Sequence, residues 1–307
     1  MATVVPPGEI TAVVNTGDDV VLHGLHVSPD LDTVTYTLAG AVSPEQGWGL
    51  DGESWAAMEA LERYSTVVPG GSAAGATWFR LGDRDLATHL YRTQRLVEGA
   101  TLSDVAAEVA AAWDVPIRLV AMTDDPVETR MTLAGDGTEI GFQEYFVALR
   151  HSVAVSAVRF AGAEAARPAP GVLDAIAAAE TVVICPSNPV VSIGPILAVP
   201  GIREAVAARR DDTVAVSPIV AGAALKGPAA RLMRELGHEA SVAGVARLYA
   251  PLAATLVVDE ADAGLAAAVE DVGVRCVVAR AVMHGVAEAA ALAGVVLSAA
   301  ARGRVPG

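Results

Sequence analysis

Two rhythms of apolar and polar residues alternate along this chain. A short β-branched run at 10–14 (ITAVV) ends abruptly in NTGDD (15–19), as a buried strand does when it opens into a polar loop. Residues 34–41 read as a helix or an extended segment. The spacing predicts a helix over 53–64, with Trp55, Met58 and Leu61 on one stripe, and a Gly/Ser-rich surface loop at 69–76 (PGGSAAGA). Further helices are predicted over 85–98, with Asp83 and Asp85 where the helix dipole favours negative charge, and over 102–113, with Ser103 as its cap. Runs at 118–122, 129–133 and 140–146 read as strands. After residue 170 the alternation is strict. Helices over 172–179, 202–209, 228–237 and 286–300 interleave with strands over 181–185, 213–217, 255–258 and 275–279, and a segment at 242–249 links the third helix to the third strand. Strands alternating with helices predict an α/β fold, a doubly wound, mainly parallel sheet that binds ligands at the carboxyl ends of its strands. The expectation is one domain over 1–307, carrying a smaller α+β insertion over roughly 116–158.

Composition narrows the function without defining it. Of 307 residues, 53% are hydrophobic and only 4% aromatic, ample material for one large core. The net charge of -15 and the lack of a Lys/Arg cluster argue against nucleic-acid or anionic-membrane partners. The two cysteines, Cys185 and Cys276, lie in apolar runs, as buried thiols do in a reduced compartment. The uncharged window 181–202 contains Pro186, Pro189, Pro195 and Pro200, which a lone membrane-spanning helix would not tolerate. A soluble, cytoplasmic protein is expected.

The candidate chemistry lies in acidic loops. NTGDD sets Asp18 and Asp19 directly after a buried strand, either as ligands of a divalent cation or as an ordinary Asx-type turn. SPDLDT (28–33) supplies Asp30 and Asp32. In an extended segment both would face one cavity, with Thr33 helping to fix Asp32; the alternative is a solvated turn begun by Pro29. In RLGDRDLATH (80–89), Arg80 or Arg84 could grip a phosphate, or Arg84 could form a local salt-bridge cluster with Asp83 and Asp85; His89 is not read as a base. Two rigid Ser/Pro loops, Ser187-Asn188 within PSNPVVSIGPI (186–196) and Ser217-Pro218 within SPIVAGAALKGPA (217–229), end neighbouring strands and form a nucleotide-sized rim, or simply tight αβ packing. Crowded carboxylates are costly unless a cation neutralises them, so the pattern points to phosphate handled through a divalent metal. No GxxxxGK[ST] loop, GxSxG elbow, HExxH or CxxC pair occurs.

Taken in order, NTGDD, SPDLDT, LGDRDLATH, FQEYF (142–146), PSNPVVSIGPIL and SPIVAGAALKGPA resemble the 2-phospho-L-lactate transferase family of coenzyme F-420 biosynthesis, over about residue 10 to near the C-terminus. The resemblance implies a Rossmann-like fold, a homodimer and a Mg2+ requirement. It implies transfer of a phospho-lactyl or phospho-enolpyruvyl group from a guanosine-diphosphate-linked donor to the ribityl hydroxyl of the deazaflavin Fo, with release of GMP. Carried over, Asp18 and Asp19 would hold Mg2+, and Asp32 and Asp19 would serve the chemistry. Asp30, Asp32, Thr33, Arg80, Asp83, Arg84 and Asp85 would bind Fo, and Ser187, Asn188, Ser217 and Pro218 the nucleotide. The family pattern also has a strand, a glycine-rich loop and a helix ahead of the strand ending in NTGDD. Here residues 1–9 (MATVVPPGE) contain no such loop, which fits either a misplaced start or a shortened relative with weaker donor binding. A non-catalytic deazaflavin-binding relative and another nucleotide-dependent transferase are the alternative readings.

Overall fold

A computed structural model describes residues 1–70, 72–225 and 227–303, so Lys226 lies outside the described residues. The β-branched run forms strand β1 (Thr11–Val14), followed by a hairpin of β2 (Val20–Leu22) and β3 (Leu25–Val27) and then helix α1 (Pro29–Leu38). Helices α2 (Ala56–Glu62), α3 (Asp85–Val97) and α4 (Leu102–Ala112) follow, and β4 (Arg118–Ala121) pairs in parallel with β1, Thr11 opposite Arg118. Next come β5 (Glu128–Leu133), β6 (Glu139–Gly141) and β7 (Val155–Ala161), which make a small antiparallel sheet in the order β6-β5-β7. The C-terminal half runs α5 (Val172–Ala178), β8 (Val182–Ile184), α6 (Ile193–Ala198), α7 (Ile202–Ala208) and β9 (Thr213–Val216). A two-residue-per-strand ribbon of β10 (Ile219–Val220) and β11 (Ala223–Ala224) leads to α8 (Ala229–Glu235) and α9 (Val242–Tyr249). Strand β12 (Thr255–Asp259), α10 (Ala266–Glu270), β13 (Arg275–Ala279) and α11 (Val286–Gly303) complete the chain.

The α/β expectation holds, with the parallel strands in two ladders: β1-β4, and a four-stranded sheet ordered β13-β12-β9-β8. Alternation along the strands explains the double winding. Val214, Val216 and Val257 face one way, against Leu292, Val296 and Ala300 of α11. Ala215, Leu256 and Val258 face the other way, against Val172, Ile202, Val242 and Val245 of the opposite helices. Each such Val, Leu or Ile side chain, fully buried, contributes about 1.5–3 kcal/mol relative to exposure. The two ladders share this second layer, because Val13 and Val120 pack into the same cluster as Ile184. On their other face Val14, Leu119 and Ala121 bury Leu31 of α1 and Leu102 and Ala106 of α4.

Four local expectations are corrected. The segment 28–33 is not extended: Pro29 at the first turn starts α1, where its fixed φ and missing N–H cost nothing. Helix α4 is capped by Thr101 rather than Ser103, through a reciprocal box with Asp104. The strand predicted over 140–146 stops at Gly141 and passes into a π-turn (Glu144–Ala148), while Phe142 and Phe146 stack at 5.5 Å. Residues 193–198, read as loop, form α6.

Candidate active site

Strand β1 delivers the NTGDD loop into a crowded corner. Asn15 Oδ1 accepts from the Gly17 N–H (2.8 Å), making an Asx turn, and Thr129 N–H donates to the Gly17 carbonyl (2.7 Å). A Cβ on Gly17 would stand 2.9 Å from Pro195 Cβ and 3.0 Å from Thr129 Oγ1, so only glycine lets α6 and β5 close on the loop. Asn15 Nδ2 reaches Asp30 Oδ2 (2.9 Å) and the Val191 carbonyl (3.5 Å). The acidic loop, the start of α1 and the Ser187-Asn188 loop are thereby tied into one site.

Among the described residues no Lys or Arg pairs with its carboxylates, and His26 is the one basic side chain that touches them. Asp18 is 5% exposed, and its Oδ1 is buried without a partner; burial, then the negative charge of Asp30, holds it well above the ordinary carboxylate range. Asp30 is pushed to about 6, chiefly by burial, with Asn15 pulling the other way and Asp19 adding to the rise. Asp19 is held from one side: its Oδ2 meets His26 Nε2 (2.9 Å) and accepts from Ser28 Oγ (2.7 Å), while Oδ1 is buried and unpartnered. His26 comes from the β2–β3 hairpin, whose turn at His23 and Gly24 has φ of 52° and 79°. Asp18 and Asp19 also line a cleft of about 140 Å3 with Trp78, Phe142 and Gln143. Gln143 Nε2 donates to the Asp18 carbonyl (3.3 Å). Arg130 lines the cleft too, but its guanidinium is bonded to Glu128 (2.7 Å) and Glu139 (3.3 Å).

Asp32 goes elsewhere. Because residues 29–38 are helical, Asp30 and Asp32 lie on different faces of α1, and the single cavity expected for both does not form. Asp32 forms a two-point ion pair with Arg92 of α3 and lies 3.6 Å from His89 Nδ1; Arg92 and His89, not Thr33, set its geometry. Burial is the largest influence on Asp32 and raises it, against the pull of Arg92. His89 Nε2 is 3.4 Å from Asp85, whose other oxygen accepts from Tyr36 OH (2.5 Å); the Thr88 hydroxyl, 2.8 Å away, donates to the Tyr36 oxygen. Burial opposes ionisation of Asp85, but His89 and Tyr36 bring it net below its usual range. Among the described residues the one group of three ligand side chains within 4.8 Å is Asp32, Asp85 and His89. Arg92 already pairs with Asp32 of that group, and a dication beside a guanidinium would be repelled. The donor set that fits a divalent cation is the carboxylate one around Asp18 and Asp19, joined by Asp30, where no guanidinium or ammonium is paired among the described residues.

The remaining candidates are largely occupied. Asp83 caps α2, accepting from Ser54 Oγ (2.5 Å) and the N–H groups of Ala56 (2.8 Å) and Ala57 (2.9 Å); these bonds lower its pKa. Glu53 returns the favour to α3 by accepting from the N–H groups of Arg84 (2.9 Å) and Asp85 (2.8 Å). A Cβ on Gly82 would sit 2.3 Å from Glu53, so LGDRD is built as one half of a reciprocal clamp. Arg84 donates to the Asp51 carbonyl (2.9 Å), and Arg80 lies over the Trp55 ring at 5.0 Å. Asn188 Oδ1 accepts from the Val190 N–H (3.0 Å), and Ser217 Oγ is bonded within its own turn to Ile219; Pro218 lies between β9 and β10. The Ser187 hydroxyl makes no hydrogen bond among the described residues. Sequence reasoning missed His26, Ser28, Arg92 and Glu53. The pattern VVLHGLHV was a readable hairpin signal, since His tolerates positive φ and Gly follows it; Arg92 and Glu53 had no such signal.

Acids at the end of a parallel strand, beside rigid loops of a second parallel sheet, lie where open α/β folds bind their ligands. The comparisons narrow the class. Residues 3–281 match the family model described as 2-phospho-L-lactate transferase CofD, and the chain belongs to that family, a transferase family of coenzyme F-420 biosynthesis. It is 47% identical over 279 residues to a protein of Kitasatospora aureofaciens named phosphoenolpyruvate transferase, covering 90% of this chain and 84% of that one. A protein of the same name from Streptomyces griseus is 48% identical over 291 residues, covering 94% and 89%. The fold is similar to that of a UPF0052-family protein from Bacillus halodurans, with a TM-score of 0.55 at 16% identity over 94% of this chain and 90% of the other. Among the described residues no helix is long and apolar enough to cross a membrane.

Proposed function

We propose that this chain transfers a phospho-enolpyruvyl or phospho-lactyl group from a guanosine-diphosphate-linked donor to the terminal ribityl hydroxyl of Fo, releasing GMP. The observation that carries the reading is the pair of buried, unpartnered carboxylate oxygens, Asp18 Oδ1 and Asp19 Oδ1, at the end of β1. Asp18 and Asp19 would hold Mg2+, with Asp30 beside them, and the ion would supply charge neutralisation at the donor diphosphate. His26 and Ser28 fix the Asp19 carboxylate from behind, so that its free oxygen keeps one direction. Asp30, at about 6, is poised to take the proton of the attacking hydroxyl. As that oxygen bonds to phosphorus, the P–O bond to GMP breaks and its electron pair leaves with GMP. Trp78 and Phe142 offer flat faces to the acceptor end in the cleft with the acids. The Ser187-Asn188 and Ser217-Pro218 loops would take the guanosine nucleotide, with the free Ser187 hydroxyl and loop backbone as its polar contacts. The names of the two actinobacterial relatives favour phosphoenolpyruvate as the donor group.

The test is mass-spectrometric detection of product from the purified 307-residue chain given Fo, Mg2+ and each guanosine-linked donor in turn. A phospho-adduct of Fo with one equivalent of GMP is expected, lost on addition of EDTA. GMP release that does not depend on Fo, or an adduct formed equally in EDTA, overturns the reading.

A further inference from the structure

His26 holds Asp19 from behind, and helix α3 holds His26 in turn. The hairpin that carries His26 is small: β2 and β3 have three residues each, and a two-stranded ribbon of that size is marginal alone. Leu22, Leu25 and Val27 anchor one of its faces to Met58 and Leu81. Alternation along β3 sends the His26 ring to the other face, where Asp19 lies.

Hydrogen-bonded and non-bonded pairs alternate along an antiparallel ribbon. Leu22 and Leu25 close the two-residue turn, so the next pair, Val21 and His26, is of the non-bonded kind. The N–H and C=O of His26 therefore point away from β2, and α3 meets them as a third strand would. The His26 N–H donates to Thr93 Oγ1 (2.8 Å), and Arg92 donates to the His26 carbonyl at a longer 3.3 Å. The hydroxyl proton of Thr93 is committed to the His89 carbonyl one turn back (2.7 Å), which leaves its lone pairs for β3. Because the Arg92 guanidinium is taken up by Asp32, Thr93 is the tighter tie. The chain of contacts then runs from Thr93 to His26, from His26 Nε2 to Asp19 Oδ2 (2.9 Å), and ends at the unpartnered Asp19 Oδ1.

From this geometry we infer that Thr93 is a positioning residue for the cation. By fixing the His26 backbone it fixes the ring, and through the ring the direction in which Asp19 Oδ1 points. The inference rests on the reading of Asp18 and Asp19 as Mg2+ ligands. Groups that orient a metal ligand contribute roughly 10- to 100-fold in metal affinity, and Thr93 stands one contact further out.

Mn2+ binding to the purified full chain, read as loss of the free-ion signal in electron paramagnetic resonance, tests this without turnover. Thr93→Val keeps the shape and removes the hydroxyl, and should raise the Mn2+ dissociation constant by about 3- to 10-fold, the range of one hydrogen bond. Thr93→Ser, which restores the acceptor, should bind within about twofold of wild type. Thr93→Ala should repeat the valine result, and circular dichroism on each variant establishes that it is folded. In a His26→Ala background Thr93→Val should have no further effect, because it acts through the ring. In transfer assays the half-saturating Mg2+ should rise in Thr93→Val by the same factor. A folded Thr93→Val that binds Mn2+ as wild type does, even with a lower melting temperature, makes the tie purely structural and overturns the inference. So does a loss of affinity that persists in full without His26. Wild type that binds no Mn2+, or binding that Asp18→Asn leaves unchanged, overturns the cation reading itself and the inference with it.

Discussion

Asp30 and Asp32 are two residues apart, yet they belong to opposite solutions of one electrostatic problem. Asp32 is buried and compensated: Arg92 pairs with it at two points, and His89, Asp85 and Tyr36 extend the network into α3. Asp30 joins Asp18 and Asp19 in a group that no Lys or Arg among the described residues pairs with, one member of which is 5% exposed. The first arrangement is a finished structure; the second holds repulsion that either protonation or a bound cation relieves. Burial of acids is therefore a poor guide to a site, and the absence of an internal counter-charge is a good one.

The contrast is sharpest in activity. Asp18→Asn should reduce phospho-transfer by roughly 10^3-fold or more, at least 4 kcal/mol in the barrier, while the melting temperature stays level or rises because a buried like charge is gone. Parallel kinetics and thermal melts check this; a falling melting temperature with intact turnover would place Asp18 among the structural acids. Arg92→Leu should behave in the reverse sense, costing about 3 kcal/mol or more of stability by stranding Asp32. Urea unfolding measures it, and a loss below about 1 kcal/mol would show that Asp32 is not sustained by Arg92.

The pH dependence separates the groups next. Asp30 titrates at about 6 in the fold and near 4 when unfolded, so its protonated form is favoured by folding. Its contribution is present below about pH 4 and is lost as pH rises through about 6, at most about 2–3 kcal/mol. Relative to Asp30→Asn, wild-type stability should therefore decline across that window, and added Mg2+ should restore it at pH 7 but not at pH 4.5. A flat difference would remove Asp30 from the uncompensated group. The smallest effect is expected for Tyr36→Phe, about 1–2 kcal/mol of stability from the lost bonds to Asp85 and Thr88, with transfer kinetics unchanged.

The alternation after residue 170 was legible because each strand is buried on both faces and each helix has one apolar stripe, a pattern that survives in single residues such as Val257 and Val296. The Asp18/Asp19 loop was legible for the same reason: a polar break directly after a buried run has few explanations. SPDLDT was misread because its two acids suit an extended segment as well as a helix start, and only Pro29 hinted at the latter. The Asp32–Arg92 pair spans 60 residues, so no local pattern carries it. Asp83 looked chemical in sequence, and only the fold shows α2 waiting for its carboxylate.

That last clamp has a consequence for how the family can vary. Glu53 and Asp83 each cap the helix that begins at the other's end, which joins the base of the intervening segment as a clasp joins a necklace. Lengthening a segment whose ends are already fastened adds only about 0.6 kcal/mol for each doubling of loop length. The PGGSAAGA segment (69–76), which stops short of Trp78 in the cleft, is thus a natural place to insert or trim sequence, or to graft a tag, without disturbing α3 and the buried acids it steadies.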